Sequence, residues 1–454
     1  MNIGSEYTVK VEKMLNEGNA LARINDIPIF IQDACPDDIL KIRITKINKS
    51  YLQGQIVEII EPSKYRVKPV CSLHNICGSC NWQHILYEEQ LKQKQIIVSE
   101  TLKRIANNDT NIETTIPSPK VQEYRCKIQL PISQTKVSKR ILSGYYKKNS
   151  HELINIKYCP MQPEIINELT EFIKLEAQNL KLSGYDEKLH IGLLKHIVYR
   201  ISSDLSEILI IFVINDEKIN KKIIELSEII VNKFPNIKGI CVNFNPQKTN
   251  VIMGKITQKI FGNDFYIQKL SNYSYKISAN SFFQVNPLCA ELIFEKVKEL
   301  INTRIKKPTI LDAYSGVSSF GIWLSSIASK VVCIEEVKSA SKDAMDNIKL
   351  NNLSNVEIIN GDAAVEFKKL IENKEEFDVS VTDPPRKGCS EESISNLIQL
   401  TKKYIIYVSC NVATLARDMK ILNKNGFRTV YIQPVDMFPN TYHVETIVLF
   451  EKIQ

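Results

Sequence analysis

The stretch Thr309-Ile310-Leu311-Asp312-Ala313-Tyr314-Ser315-Gly316-Val317-Ser318-Ser319-Phe320-Gly321 decides the fold. An apolar run of strand length ends in a polar loop around Gly316, and an apolar helical pattern leads to a second strand, Lys330–Glu335. This strand–turn–helix–strand order is a βαβ unit, which predicts a parallel sheet. Gly316 lets the backbone approach a ligand, and Glu335 offers two carboxylate oxygens to the hydroxyls of a ribose.

Two further predicted strands continue the pattern. Val356–Asn360 is followed by Asp362, and Phe377–Thr382 is followed by Asp383. The carboxyl ends of parallel strands meet at one edge of a sheet, so these acids should line a crevice there, with Asp362 placed to meet an adenine. One such acid is commonly a solvated loop residue, whereas acids after successive strands indicate a nucleotide-type site.

Another apolar run, Tyr404–Val408, leads through Ser409 to Cys410, and a helical pattern begins directly afterwards. Cys410 is therefore predicted at the carboxyl end of a buried strand, where open α/β sheets carry their chemistry. The N-terminus of the following helix would stabilise a thiolate, which is the reactive form, so Cys410 is a candidate nucleophile. The alternative is a buried, inert cysteine.

The chain has 454 residues, of which 44% are apolar and 24% charged, as in ordinary globular proteins. The N-terminus lacks an apolar core of signal-peptide length, and no apolar run reaches the roughly 18 residues of a membrane span. We therefore expect a cytoplasmic protein with no membrane partner, and no obligate protein partner is evident. The 11 cysteines are too unevenly spaced for a disulfide scaffold, so we expect ligands, nucleophiles or core residues.

The N-terminal part carries most of the positive charge. Residues 1–150 contain 22 Lys and Arg against 15 Asp and Glu, in a chain of net charge +8. Several short strands between residues 6 and 60 predict a small β-barrel of the OB type. Four basic residues recur along one hairpin and suit a nucleic-acid backbone: Lys41, Arg43, Lys46 and Lys49. An edge strand protected by lysines, or a solvated basic surface, would give the same pattern.

A second candidate site is rich in cysteine. Cys71, Cys77 and Cys80 lie within ten residues, and Cys159, which precedes a proline, is the natural fourth ligand. Clustered thiolates with a remote Cys before Pro favour a [4Fe-4S] cluster, whereas structural zinc more often uses two separate Cys-x2-Cys pairs. Mononuclear zinc stays the alternative.

The middle of the chain mixes helices with strands and predicts an α+β domain. The predicted helices are 163–180 and 218–233, and the predicted strands are 197–201, 208–213 and 239–243. Residues 124–130 and 144–148 interleave aromatic and basic side chains, which suits stacking on unpaired bases, although two-sided strands give similar strings.

Five motifs together resemble one family, the RNA (uracil-5-)-methyltransferases that use S-adenosylmethionine. In chain order they are Phe283-Gln284-Val285-Asn286-Pro287, Asp312-Ala313-Tyr314-Ser315-Gly316, Thr382-Asp383-Pro384-Pro385-Arg386, Val408-Ser409-Cys410-Asn411 and His443-Val444-Glu445-Thr446. The resemblance spans nearly the whole chain, because members acting on 23S ribosomal RNA also carry a TRAM barrel and a four-Cys iron-sulfur cluster. Two positions depart from the family pattern: Ser318 replaces a glycine, and Val412 replaces a proline.

The resemblance implies a fold and three domains. The fold is α/β: a Rossmann-like class I methyltransferase domain with an N-terminal OB-type barrel and a mixed α+β central domain. Residues 1–62 would form a TRAM/OB-like RNA-binding barrel, 63–289 the iron-sulfur and central RNA-binding domain, and 290–454 the S-adenosylmethionine-dependent methyltransferase domain.

The resemblance also implies roles for individual residues. Cys410 would add to C6 of the uracil, and Glu445 would later remove the proton from C5. S-adenosylmethionine would be bound by Gln284, Tyr314, Ser319, Glu335, Asp362 and Asp383. The [4Fe-4S] cluster would be held by Cys71, Cys77, Cys80 and Cys159.

Three other functions fit parts of this pattern. A transfer-RNA uracil-5-methyltransferase would carry the same catalytic groups. A catalytically retired RNA-binding protein would keep the barrel and the cluster but would not need Cys410 and Glu445 together with the cofactor acids. A methyltransferase acting on nitrogen or oxygen is disfavoured, because that reaction needs no Cys nucleophile.

Overall fold

The computed structural model describes residues 1–453, so Gln454, the last residue of the predicted third domain, lies outside the described residues. The chain forms two compact units. The first comprises Met1–Ser118, Pro384–Cys389 and the segment from Tyr407 onward, and the second comprises Pro119–Asp383 and Ser390–Ile406. The division into three domains stays a prediction. No helix in the described part of the chain is long and apolar enough to cross a membrane.

The first unit begins with a small β-sheet. Its elements are β1 (Glu6–Lys10), β2 (Lys13–Met14), β3 (Ala20–Ile24), β4 (Ile27–Ile31), β5 (Ile39–Ile47) and β6 (Leu52–Glu61), followed by α1 (Tyr87–Ala106). The strand order is β1-β5-β6-β4-β3-β2, and β1 also contacts β3. The sheet therefore curls around one apolar core, in agreement with the predicted barrel.

The second unit contains a mixed α+β layer. Its elements are β7 (Lys127–Gln134), β8 (Ile141–Tyr146), β9 (Leu153–Asn155), α2 (Glu164–Asn179), β10 (Leu194–Ile201), β11 (Ile208–Ile214), α3 (Lys221–Lys233) and β12 (Ile237–Phe244). They are followed by β13 (Ile256–Gly262), β14 (Phe265–Leu270) and β15 (Tyr273–Ser278). Seven of these strands form one sheet, in the order β13-β12-β11-β10-β7-β8-β9. This sheet packs on the apolar faces of α2 and α3. Helix α3 begins later than predicted, because the Asn220 side chain caps it by accepting from the amide of Lys222.

The same unit continues with alternating helices and strands. These are α4 (Pro287–Asn302), β16 (Thr309–Ala313), α5 (Ser319–Leu324), β17 (Lys330–Glu335), α6 (Lys338–Leu350), β18 (Val356–Asn360), α7 (Ala363–Glu372), β19 (Phe377–Thr382), α8 (Glu391–Leu400) and β20 (Thr401–Ser409). Strand β16 pairs in parallel with β17 and β19, and β17 pairs in parallel with β18. The predicted parallel sheet is confirmed.

Strand β20 ends in the first unit, which is completed by α9 (Val412–Lys424), β21 (Phe427–Val435) and β22 (Glu445–Lys452). There the end of β20 neighbours β22, and β22 neighbours β21. Strands β21 and β22 are antiparallel. Because the helical crossover α9 makes β20 and β21 run in the same direction, β22 runs opposite to β20. Strand β22 therefore begins at the edge of the sheet where β20 ends.

Candidate active site and cysteine-rich loop

The predicted cofactor acid Glu335 is fixed by backbone amides at the end of β17. Its Oε2 accepts a hydrogen bond from Gly316 N–H over 2.8 Å, and its Oε1 accepts one from Val337 N–H over 2.7 Å. Each oxygen keeps a second lone pair, so the carboxylate is oriented and still able to accept from a ligand. Its own main-chain oxygen accepts from Gly361 N–H over 3.0 Å, next to Asp362.

The loop between β16 and α5 holds three residues in the left-handed backbone region. The φ angles are 62° at Tyr314, 57° at Gly316 and 64° at Ser318. At Ser318, where the family pattern has glycine, this conformation costs roughly 1–2 kcal/mol relative to glycine. The Ser318 hydroxyl lies 3.2 Å from the Cys333 sulfur. Ser318 therefore replaces glycine at a position where the backbone conformation favours glycine. The loop still adopts this left-handed conformation.

Two observations on this loop fit a bound nucleoside. A Cβ placed on Gly316 would meet no atom within 4 Å, so there is open space beside the backbone. The buried hydroxyl of Ser315 has no hydrogen-bond partner, although such groups are normally satisfied. Open space next to a spare polar atom and an oriented carboxylate suits S-adenosylmethionine. Ser319 and Tyr314, which flank these features, are half-buried.

The structure brings Gln284 and Asp383 together. Gln284 Nε2 donates to Asp383 Oδ2 over 3.2 Å, although the two residues are far apart in sequence. Burial raises the pKa of Asp383, while the bond from Gln284 lowers it. The exposed Asp362 lies at the start of α7, where its Oδ1 accepts from the amides of Ala364 and Val365. Asp362 is thus also the N-cap of α7.

Sequence reasoning did not assign a site role to Asp312. Its side chain is 1% exposed, and its Oδ2 accepts from Gly321 N–H over 2.9 Å, which braces the start of α5. Burial, with a further contribution from Asp383, raises the pKa of Asp312 to about 8. A carboxylate inside an apolar strand was the available signal for such a buried acid.

Cys410 follows β20 directly and precedes the N-cap of α9. The Asn411 side chain accepts from Ala413 N–H over 3.1 Å, which caps the helix, and Asn411 N–H donates to the Ser409 hydroxyl over 3.1 Å. These bonds form the turn on which Cys410 lies, and the thiol is half-buried. The amides of the first turn of α9 favour a negative charge at this position.

Glu445 is the first residue of β22 and is buried. It pairs with Val435 in the antiparallel ladder between β21 and β22. Because β22 starts at the edge where β20 ends, Glu445 and Cys410 belong to the same edge of the sheet. The two predicted catalytic residues thus come from neighbouring strands.

Three of the four predicted cluster ligands share one loop of the first unit. Cys71 is half-buried, whereas Cys77 and Cys80 are buried. Cys77 N–H donates to Leu73 O over 2.8 Å, so the loop is wound into tight turns. Burial raises the pKa of Cys71, and the neighbouring Cys77 adds to the increase. Three cysteines close together in sequence on a tight loop fit an inorganic centre.

Hydrogen bonds fasten this loop to the barrel. His74 Nε2 lies 3.0 Å from His84 Nδ1, and His84 Nε2 lies 3.0 Å from Ala34 O. In the second unit, Cys159 is half-buried, and its amide donates to Asn167 Oδ1 over 2.8 Å. The loop of the first unit is thus held through His74 and His84, and the backbone at Cys159 is held by Asn167.

The basic hairpin of the barrel is partly neutralised. Lys41 and Arg43 both pair with Glu6, at 2.9 and 2.8 Å, whereas Lys46 and Lys49 are exposed. Strand β5 lies between β1 and β6, and β1 pairs with residues 39–43 of β5, so Lys41 and Arg43 do not lie on an edge strand. The exposed lysines remain available to phosphates.

Of the two segments that interleave aromatic and basic residues, residues 124–130 alternate between buried and half-buried positions, whereas residues 145–148 are all half-buried. Tyr124 is buried, and burial lowers the pKa of Lys127 to about 8. For residues 124–130, the alternative of a two-sided strand describes the structure better, because β7 runs through the segment.

The chain is similar in sequence to known RNA methyltransferases. The family model described as tRNA (Uracil-5-)-methyltransferase matches residues 86–453, and the TRAM domain matches residues 2–57. An uncharacterized RNA methyltransferase of Oceanobacillus iheyensis is 37% identical over 98% of this chain and 96% of its own length. One of Clostridium tetani is 37% identical over the same shares.

Among solved structures, the chain is similar to the tRNA (uracil-54, C5)-methyltransferase of Pyrococcus abyssi in complex with S-adenosyl-L-homocysteine. The TM-score is 0.76 at 26% identity, covering 97% of this chain and 100% of that chain.

Proposed function

The chain belongs to the tRNA (uracil-5-)-methyltransferase family and is an S-adenosylmethionine-dependent RNA methyltransferase, and we propose that it methylates C5 of a uridine in 23S ribosomal RNA through a covalent Cys410 adduct. The observation that carries this proposal is the placement of Cys410 and Glu445. A thiol in front of a helix N-terminus and a buried carboxylate lie at the same edge of the sheet, at the end of β20 and the start of β22.

Cys410 supplies the nucleophile that the reaction needs, because C5 of uracil is not nucleophilic enough on its own. The thiolate adds to C6, a C6–Sγ bond forms, and the electron pair moves to an enolate whose C5 is nucleophilic. Bound S-adenosylmethionine supplies an electrophilic methyl group to this carbon. The half-buried Cys410 requires the target base to leave its stack, as in other enzymes that act on a base.

Glu445 supplies the base for the last step. After methylation C5 carries both the methyl group and a proton. Glu445 removes this proton, the C5–C6 double bond re-forms, the C6–Sγ bond breaks, and Cys410 leaves as the thiolate. The chain is regenerated, without an oxidant or reductant, once Glu445 releases this proton to solvent.

The cofactor would be held by residues of the second unit. Glu335 would accept from the ribose hydroxyls, and Asp362 would meet the adenine through the oxygen that does not cap α7. The remaining contacts with the cofactor would come from Tyr314, Ser319, Gln284 and Asp383.

The choice of ribosomal RNA is supported by the cysteine set, through its resemblance to members of the family that act on 23S ribosomal RNA. Cys71, Cys77, Cys80 and Cys159 would hold a [4Fe-4S] cluster with a structural role, since no step above transfers electrons. A transfer-RNA substrate is the second candidate, and it is supported by the similarity to the Pyrococcus abyssi enzyme.

Mapping 5-methyluridine separately in ribosomal and transfer RNA distinguishes these substrates. RNA from cells lacking the gene should lose 5-methyluridine at one position of 23S ribosomal RNA and regain it with the wild-type gene, but not with a Cys410→Ala gene. Loss confined to transfer RNA would select the second candidate. An unchanged 5-methyluridine map would contradict both.

A further inference from the structure

The segment that leads to Glu445 is an unusually buried loop. Residues 436–444, here called the return segment, connect β21 to β22. Asp436 and Met437 are completely buried, and Thr441 is 2% exposed. Loops normally run over the surface because their backbone groups need water. Other parts of the first unit must therefore supply the partners of this segment, and α1 supplies two of them.

The first anchor is an ion pair between Lys94 on α1 and Asp436. Lys94 Nζ pairs with Asp436 Oδ1, and both side chains are fully buried. Lys94 Nζ also donates to Phe438 O over 3.1 Å. Buried pairs are often no more stabilising than apolar residues of the same volume, but they tolerate few arrangements. This pair therefore fixes α1 against the start of the return segment.

The second anchor is the amide of Gln90, one helical turn before Lys94. Asn440 N–H donates to Gln90 Oε1 over 2.9 Å, and Gln90 Nε2 donates to Asn440 Oδ1 over 3.3 Å. Asn440 has a φ of 65°, in the left-handed region that asparagine tolerates better than most residues. Its carbonyl accepts from the amides of Asn81 and Trp82 over 3.1 and 3.0 Å. In the middle of the return segment, both the main-chain N–H and the main-chain carbonyl of Asn440 are therefore hydrogen-bonded.

From these contacts we propose that Gln90 and Lys94 are positioning residues for Glu445. The inference rests on the proposed function, in which Glu445 takes the C5 proton. Gln90 is 1% exposed and Lys94 is fully buried, so neither side chain is accessible to RNA. They act through the return segment, which sets where the first residue of β22 lies.

This placement predicts which step depends on the two residues. Cys410 lies at the end of β20, on the turn that the cap of α9 closes, so we expect addition to C6 and methylation to survive loosening of the return segment. Proton removal by Glu445 should not, because a displacement of about 1 Å in a reacting group can slow a step by about 100-fold.

The test compares Gln90→Met with Gln93→Met. Gln93 is also a buried glutamine of α1, but its Oε1 accepts from Met14 N–H over 2.8 Å and so bonds to the barrel. Each full-length variant, with its metal centre loaded, is mixed with excess radiolabelled S-adenosylmethionine and unmodified RNA. Methylated adduct and free methylated RNA are followed over time on a denaturing gel.

We expect Gln90→Met to form the methylated adduct within about twofold of the wild-type rate but to release it at least about tenfold more slowly. Gln93→Met should match the wild-type protein in both steps. Should Gln90→Met fail to fold, the double variant Lys94→Met/Asp436→Leu removes both charges together and should show the same delayed release.

Two outcomes separate this inference from the function on which it rests. If Gln90→Met, or the double variant in its place, releases methylated RNA as fast as Gln93→Met while Glu445→Gln accumulates the adduct, the positioning role is wrong and the mechanism stands. If Glu445→Gln forms no adduct and turns over normally, the proposed base is wrong, and the positioning role is overturned with it.

Discussion

Gly316 N–H donates to Glu335 Oε2 over 2.8 Å, which joins the loop after β16 to the end of β17. The bond fixes the carboxylate before any ligand arrives. It also holds Gly316 where a side chain would enter the open space beside the loop. Glu335 and Gly316 therefore hold each other in position in the cofactor site. A change at either residue should mainly weaken the binding of the cofactor.

Glu335→Gln should weaken cofactor binding and leave the fold in place. The amide keeps one acceptor oxygen but turns an NH2 group toward Gly316 N–H or Val337 N–H, which are both donors. A ribose hydroxyl would also lose its bond to a charged carboxylate, which costs about 1.5–3 kcal/mol, so the Kd for S-adenosylhomocysteine should rise by about 10- to 150-fold. Calorimetric titration measures this change. Glu336→Gln, at the exposed neighbouring position, should bind as tightly as the wild-type protein.

The stability of the cofactor-free protein should depend on Asp312. Burial raises the pKa of Asp312 to about 8 from 3.8, so the folded state binds this proton more tightly than the unfolded state. The stabilisation is present at low pH and is lost as the pH rises toward about 8. We therefore expect the Tm of the wild-type protein, minus that of Asp312→Asn, to fall between about pH 5 and pH 8. Asp109→Asn, an exposed control, should show no such trend, and a flat difference for Asp312→Asn would refute the assignment.

Cys410→Ala should abolish methyl transfer and leave cofactor binding intact, because the thiol attacks the base and does not hold the sulfonium. Removing the nucleophile from a set of groups that act together lowers the reaction rate by about 10,000-fold or more. Methyl incorporation into RNA and the Kd for S-adenosylhomocysteine measure the two effects. Cys241→Ala, at a buried cysteine of β12 in the second unit, should keep its activity. Substantial methylation by Cys410→Ala would remove Cys410 as the nucleophile.

Local patterns were enough to predict most elements of the sheet. Strands β16, β17, β18 and β19 match the predicted ranges residue for residue. Three of them are predictable because buried parallel strands are apolar runs bounded by polar turns, whereas β18 is an edge strand without a buried residue. The pairing of Lys41 and Arg43 with Glu6 could not be predicted, since it depends on strand order. The bonds between Gln90 and Asn440 join residues 350 positions apart, and no local periodicity carries such information. The motif residues were found by resemblance, whereas the contacts that orient them required the fold.

Glu445→Gln should methylate its RNA once and then stall. Only proton removal from C5 is blocked, so the variant should remain bonded to methylated RNA through Cys410. A denaturing gel should show radiolabelled methyl groups migrating with the protein, and digestion of the RNA should shift that band. Glu451→Gln, near the other end of β22, pairs with Arg428 at the surface and should release methylated RNA normally. Normal turnover of Glu445→Gln without an adduct would show that another group is the base.

The last prediction concerns the loop that contains Cys71, Cys77 and Cys80. If Cys71, Cys77, Cys80 and Cys159 hold a cubane cluster, protein purified without oxygen should be brown and contain about four iron atoms per chain. Cys77→Ser should lose iron and unfold at a lower temperature, because the loop carries the amides of Asn81 and Trp82 that bond to Asn440.

RNA binding by Cys77→Ser should weaken more than its single-turnover methylation rate at saturating RNA, since the cluster takes part in no chemical step. Cys241→Ala again serves as the control and should keep its iron. Stoichiometric zinc without iron in anaerobic protein would replace the cluster by the mononuclear alternative and leave the roles of Cys410 and Glu445 unaffected. If the methylation rate fell further than the RNA affinity, the loop would instead influence the chemical step. It would do so through the bonds from Asn81 and Trp82 that hold the return segment.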